Sequence, residues 1–371
     1  MKKRTETRAE VVVIGAGPAG SLAAHVLARA GRDVVLLDRG RGPARQVGES
    51  LPPAGRRLLA HLGLGSLLDL SRHLASPGNR SAWGSSRLGA VDFIRDPDGH
   101  GWRLDRPRFD ADLRAAALAA GARPHVGRLD GMARDADGWV IETDRGRLRA
   151  GWLIDASGRA SVVSRRLGIE RTRDDDLTAV CAWYGARAED RDARMLVESA
   201  ADGWWYTARL PGEGRVVVFQ TSAENARRIL RSPGKWEHLL AGTAHVGRAV
   251  SESSRLDRLQ GAEASGARLA RFAGPGWVAV GDAAVSFDPI SSQGIFNALY
   301  TGMKAAQAVA ANLASGDASA VEAYAARLEE IRAVYLERHR LIYATESRWA
   351  ASTFWSARAP SLSPAPIRRR A

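Results

Sequence analysis

The apolar positions of this 371-residue chain change their spacing several times, and each change marks a predicted element. Residues 11–14 form an unbroken β-branched run, which predicts a short strand buried on both faces. The run breaks into Gly15-Ala16-Gly17-Pro18-Ala19-Gly20. Leu22, Ala23, Val26, Leu27 and Ala30 then recur at helical spacing until Gly31. A second apolar run at 34–37 ends on Asp38. Pro52 and Pro53 open a helix with Leu58, Leu59 and Leu62 on one face. Strand-like, aromatic spacing follows over 81–94, and residues 102–122 read as a helix introduced by Asp105 and Pro107. Residues 138–161 read as two short strands and a turn, then a separate buried strand at 152–154 that ends on Asp155. The block 177–221 holds several strand candidates, among them 215–220, while 276–306 is strand, loop and long helix. Helical spacing continues to about residue 355. The order predicts an α/β fold with a Rossmann-like nucleotide-binding unit, a second sheet woven into it, and helices towards the end of the chain.

The first unit carries chemistry as well as fold. Three glycines at a strand-to-helix turn let the backbone approach a pyrophosphate, whose charge sits on the helix N-terminus. Asp38 stands where a carboxylate takes ribose hydroxyls. A glycine pattern alone is weak, and its bland reading is an ordinary βαβ turn. Strand, glycines, helix, strand and acid in that order are specific.

Composition narrows the classes. The length is enough for one large domain or two interlocked ones. A lone cysteine, Cys181, excludes a disulfide framework and a thiolate metal cluster. No histidine pair has metal-ligand spacing, so no metal is expected. Without a long apolar run, and with Met1-Lys2-Lys3-Arg4 leading into the first strand, the chain is expected to lack a signal peptide and a membrane span and to be cytoplasmic. The net charge of +13 is carried by arginine. It reads either as solvated faces or as a field for an acidic protein partner; no motif points to nucleic acid. The tail at 359–371 is expected to be disordered.

Taken together, GAGPAG with Asp38, Asp105-Arg106, LIDASG, and GDAA followed by DPISSQGIFNA resemble the FAD-dependent monooxygenases of the hydroxybenzoate-hydroxylase fold. GESLPP, DPISSQG and RWAASTFWSAR (348–358) resemble more narrowly the branch shared by flavin-dependent halogenases and the flavoproteins that hydroxylate tryptophan in quinone cofactor maturation. The resemblance implies a discontinuous FAD-binding domain over 8–75, 101–175 and 265–302, and a substrate-binding domain built on an antiparallel sheet over 76–100 and 176–264. A C-terminal helical region would occupy 303–358. It implies FAD contacts from Gly15, Gly17, Pro18, Ala19, Gly20, Asp38, Arg39, Arg45, Ser50, Arg106, Asp155, Gly158, Gly281, Asp282, Pro289, Ser292, Gln293 and Gly294. The helix starting near Gly294 would aim its positive end at the flavin. Glu49, Asp288 and Pro289 are the catalytic candidates, and Glu49 equally suits a structural role, its carboxylate taking loop amides. Trp83, Trp183, Trp204, Trp205, Tyr206 and Phe219 are the aromatic candidates for the substrate pocket, although most aromatics are core.

The same resemblance orders the chemistries. A second dinucleotide fingerprint is absent, so NAD(P)H must bind transiently or electrons must arrive from an external flavin reductase. Tryptophan-type halogenases carry a lysine that this chain lacks after GESLPP; its lysines are Lys2, Lys3, Lys235 and Lys304. Their WxWxIP signature falls on YTARLP, with Ala208 for the second tryptophan, and their Ser-Thr-Gly on Ser292-Gln293-Gly294. The expectation is therefore hydroxylation of an aromatic, tryptophan-like substrate, free, peptidyl or carrier-tethered, through a flavin C4a-hydroperoxide. The alternatives are halogenation, a reductase of the geranylgeranyl type, whose YxWxFPK box is broken at Ala208 and Gly212, and a non-catalytic flavoprotein chaperone.

Overall fold

A computed structural model describes residues 6–40, 47–187, 189–212 and 214–358; Arg45 and the tail at 359–371 lie outside the described residues. The first strand, Glu6–Ile14, is the centre of a sheet whose parallel strands run in the order Arg123–Val126, Val34–Asp38, Glu6–Ile14, Gly146–Asp155, Trp277–Ala279. Val11, Val12 and Val13 are fully buried, as a strand covered on both faces requires. The helix Pro18–Arg29 follows the glycine turn and buries Leu22, Ala23 and Leu27. In one respect the sequence reading is corrected. Residues 146–155 form one continuous strand rather than a short strand and a separate buried one. Its first half alternates between core and solvent while pairing on two sides, with the hairpin strand Gly138–Thr143 and with Glu6–Ile14 from Glu6↔Arg147 to Ile14↔Asp155. Ladder pairing on both edges carries the strand straight through the polar arginine stretch.

A seven-stranded sheet lies apart from the first. Its order is Gln260–Glu263, Leu177–Tyr184, Arg215–Ser222, Gly203–Arg209, Met195–Ala200, Gly78–Ala82, Gly89–Asp92, antiparallel except where Gly78–Ala82 meets Met195–Ala200. Strand alternation gives this sheet two different faces. Val180, Phe219 and Trp205 stand in one row and pack under the helices Ala223–Arg231, Pro233–Ala241 and Val246–Val250, with Trp205 stacked on Phe219 at 4.4 Å. The neighbouring rows, Ala179–Gln220–Trp204 and Cys181–Val218–Tyr206 in register, face the other way. Trp205 and Phe219, expected at the substrate pocket, are thereby placed in the core behind the sheet, because one residue of register decides the face.

The helix Gly294–Ser315 crosses close to Pro18–Arg29: a Cβ on Gly302 would lie 2.3 Å from the Ala19 carbonyl oxygen. The helix Ser319–Ala344 ends earlier than the apolar spacing suggests, and the chain turns through Thr353–Ser356, where Phe354 and Trp355 are buried. Arg358 locks this turn to Asp175 and Asp176. No helix among the described residues is long and apolar enough to cross a membrane.

Candidate functional site

Two cavities meet at Gly17, Ala156 and Gly158. The outer one, about 530 Å³, is walled by Gly15, Gly17, Asp38, Arg39, the loop 127–130 and the turn Ala156-Ser157-Gly158. Asp38 is already oriented there: one carboxylate oxygen accepts from the Arg39 amide at 2.7 Å and the other from Arg114 at 3.1 Å. Gly15 sits at φ +109, and a Cβ would lie 2.3 Å from the Ala156 carbonyl oxygen, so this glycine lets strand and turn meet. A Cβ on Gly17, Gly158 or Gly294 would instead meet no protein atom within 4 Å. These backbones face open cleft, as a dinucleotide lying against them needs. Gly20 is not on the wall; it allows the helix to approach, since its Cβ would meet the Gly15 carbonyl oxygen at 1.9 Å.

Asp155 has a different place from the one expected. It is fully buried, and its carboxylate accepts from Ser157 N and Oγ, Val163 N, and Ser164 N and Oγ. With every lone pair engaged by its own chain, it shapes the turn bearing Gly158 rather than reaching the cleft.

The inner cavity, about 390 Å³, is where the two sheets face each other. Pro18, Ala19, Ser50, Arg106 and Asp282 line it from the nucleotide side, and Pro289, Ser292, Gln293 and Gly294 from the loop. Arg106 is held by Asp110 and by the Gly48 carbonyl oxygen. Gly281 is one step behind the wall, its amide donating to Thr301 Oγ1 at 2.8 Å. Burial pulls the Asp282 carboxyl above the usual range, against Arg159, Arg171 and Arg106. Ser292 adopts a left-handed conformation, φ +51, that turns the loop into the long helix. The first amides of that helix have no intrahelical partners and point their partial positive charge at the cavity.

Glu49 and Asp288 line the cavity, each 2 % exposed. Among the described residues Glu49 accepts from adjacent groups, the Gly48 amide at 3.2 Å and Ser50 Oγ at 3.5 Å. Asp288 is tightly committed: Oδ1 caps the turn at Ile290 N, and Oδ2 takes Tyr343 OH at 2.8 Å and His339 Nε2 at 3.0 Å. Burial pushes the Tyr343 hydroxyl far up, with the Asp288 charge adding to it. Tyr343 in turn accepts from Trp204 Nε1 at 3.0 Å, so sheet, loop and C-terminal helix share one network.

Of the expected aromatics, Trp204 and Tyr206 line the cavity. Burial raises the Tyr206 hydroxyl well above its usual range, and Glu49 adds to this. Trp83 stands behind, edge-on to Trp204, Tyr343 and Trp355, and donates to the Ile342 carbonyl oxygen. Trp183 is buried off the wall. Cys181 is buried beneath the same face, its thiol pushed up to about 12 by burial and by Glu49. Sequence reading missed Arg159, which pairs with Asp282 at 3.5 Å, and Gln220, Ala179, Ala262 and Ala264. Arg159 follows the SG of LIDASG and was within reach of that motif; the sheet residues belong to no motif. Among the described residues no group of three or more His, Cys, Asp or Glu side chains is arranged to hold a metal ion.

The model of the FAD binding domain family matches residues 8–338. LodB of Marinomonas mediterranea, whose name describes an FAD-dependent oxidoreductase, is 31% identical over 360 residues, covering 94% of this chain and 96% of its own. A flavin-dependent halogenase of Armillaria mellea, armH2, is 27% identical over 84% of this chain and 67% of its own. Among solved structures, the myxobacterial chondrochloren halogenase CndH superposes with a TM-score of 0.86 at 24% identity, over 95% of this chain and 86% of its own. The peptidyl tryptophan dihydroxylase QhpG superposes with 0.75 at 25% identity, over 95% and 79%. A glycine-walled dinucleotide cleft that opens onto a cavity between two sheets, and likeness over nearly the whole length, place the chain in the FAD binding domain family, as an FAD-dependent oxidoreductase of the branch shared by halogenases and hydroxylases.

Proposed function

We propose that the chain is a monooxygenase that hydroxylates an aromatic, tryptophan-like group carried on a peptide or a carrier protein. One observation carries this reading: the inner wall combines small apolar and aromatic side chains with the carboxylates of Glu49 and Asp288, and no described lysine lines it. Lys235 lies on Pro233–Ala241 behind the sheet and Lys304 on the outer side of the long helix, so neither stands between cofactor and substrate. In this reading segments 8–75, 101–175 and 265–302 hold FAD, 76–100 and 176–264 hold the substrate, and 303–358 closes the molecule. The FAD contacts come from Gly15, Gly17, Gly158, Asp38 and Arg39 in the outer cavity and from Ser50, Arg106, Asp282, Ser292, Gln293 and Gly294 in the inner one.

Once reduced, bound FAD supplies the electrons that activate oxygen. The chain's own part is local. The N-terminus of Gly294–Ser315 favours negative charge at the cavity floor, and the apolar sheet face excludes water. Glu49, loosely held and on the wall, is the group free to take a proton from the ring under attack. Asp288, fully engaged, holds the Pro289–Gln293 loop in place. Electrons come from NAD(P)H bound transiently or from a separate reductase.

Halogenation is the rival, favoured by the likeness to armH2. One assay separates the two. The FAD-loaded protein is chemically reduced without oxygen and mixed with oxygen, bromide and either a tryptophan-containing peptide or a free aromatic, and the product is weighed by mass spectrometry. A peptide heavier by one oxygen atom is the expected result, since one reduction of FAD supplies the two electrons for one insertion and the second oxygen leaves as water. A brominated peptide makes the chain a halogenase, and an unchanged peptide together with unchanged free aromatics overturns both.

A further inference from the structure

We propose that Gln220 reads the substrate, accepting a hydrogen bond from a ring-bound N–H of a flat, indole-type aromatic ligand. The proposal rests on the aromatic-substrate reading above and names the group that would enforce it.

The argument starts from the strand register. Ala262, Ala179, Gln220 and Trp204 stand in one row across four strands, and all four line the inner cavity. The two alanines leave room above the sheet, and Trp204 closes the row with an aromatic wall. Between space and wall stands one amide. Gln220 is 1 % exposed, and its Oε1 has no hydrogen-bond partner among the described residues. Among the described residues it is the one buried, unpartnered side-chain polar atom that belongs to the inner cavity wall.

Several other polar groups on the wall are engaged. Trp204 Nε1 donates to Tyr343, Glu263 pairs with Arg173 at 2.9 Å, Asp282 pairs with Arg159, and Asp288 holds three donors. Native proteins rarely leave a buried amide oxygen unpaired, and on the wall of a cavity what completes it is what enters the cavity, a water or a ligand. The unpartnered Oε1, beside an aromatic wall, is completed by a neutral ring that carries a donor, and indole is the flat ring of tryptophan that does so.

The test uses the FAD-loaded full chain, calorimetric binding of 3-methylindole and 1,3-dimethylindole, and the substitution Gln220→Met, which keeps length and removes the acceptor. The wild type is expected to prefer 3-methylindole by about tenfold, and Gln220→Met to bind both rings alike. Melting temperature and FAD content show that the variant is folded and loaded. The melting temperature is expected to be unchanged or higher, because an unpaired buried carbonyl is gone. Four results overturn the proposal: equal binding of both rings by the wild type, binding of neither, a preference that survives in Gln220→Met, or loss of FAD from the variant, which would make the amide a cofactor ligand. If the wild type still adds oxygen to the tryptophan peptide, only this proposal falls. If it neither binds the rings nor oxygenates the peptide, the aromatic-substrate reading falls with it.

Discussion

At the scale of single residues, the two leading glycines of the nucleotide turn do different work, and the difference is measurable. Gly15 is held at φ +109 against the Ala156 carbonyl oxygen, whereas the space over Gly17 is open. Gly15→Val should therefore unsettle the sheet itself, by about 3 kcal/mol or more, as well as FAD binding. Gly17→Val should melt close to the FAD-free wild type and retain no FAD. Flavin absorbance of the purified variants, read beside thermal melts, checks both, and stoichiometric FAD on Gly17→Val would displace the dinucleotide site. Asp155 gives the complementary case. Replacing it by Asn turns an amide donor towards donors that its carboxylate now satisfies, and the expected loss is about 2–4 kcal/mol of stability. A chemical denaturation curve within 1 kcal/mol of wild type would show that these bonds contribute little. Sequence reading found Asp155 by its motif but not by its role, since its donors at 163 and 164 lie beyond the turn.

Elements meet through a few buried polar hubs. The segment after Ser319–Ala344 is pinned by Glu346, which accepts from the Gly84 amide, Ser199 Oγ and Arg348. Burial alone would raise this carboxyl, but the hydrogen bonds from Arg348, Ser199 and Gly84 outweigh it and bring it to about 2. A depressed carboxyl adds stability above the ordinary range near 4.5, and that contribution is lost as pH falls towards about 2. Glu346→Gln should thus melt lower than wild type at neutral pH and lose less between pH 4.5 and 2. Parallel acid limbs in the two melting series would remove Glu346 from the account of acid stability. The Asp288 hub is of the same kind, for its partners at 335, 339 and 343 all come from one helix. Helical periodicity announces that helix from the sequence; which loop its polar face meets does not follow from periodicity.

For the whole molecule, charge and topology lead in separate directions. The net charge of +13 reads either as solvated faces or as a field for an acidic partner, and the second would make association with an acidic peptide slow steeply with salt. Between about 0.05 and 0.5 M salt the association rate should fall by about tenfold. Stopped-flow mixing with a labelled acidic carrier measures it, and a salt-independent rate would assign the arginines to plain solvation. The glycine unit was readable because its signals are local: strand, glycine turn, helix and acid lie within 28 residues, 11–38. The continuous strand Gly146–Asp155 was misread as two pieces because its polar half is stabilised by neighbours far along the chain. The seven-stranded sheet was harder still. Trp204 and Trp205 are adjacent letters of equal hydrophobicity, yet one lines the cavity and the other fills the core behind the sheet. By itself the sequence determined the cofactor class, the dinucleotide turn and the loop that faces the cavity, since backbone conformation and phosphate chemistry demand those residues in that spacing. Only the tertiary structure decided which sheet face meets the cavity, and with it the place of Gln220, because strand register is settled by pairing between distant segments and reverses every side chain when it shifts by one.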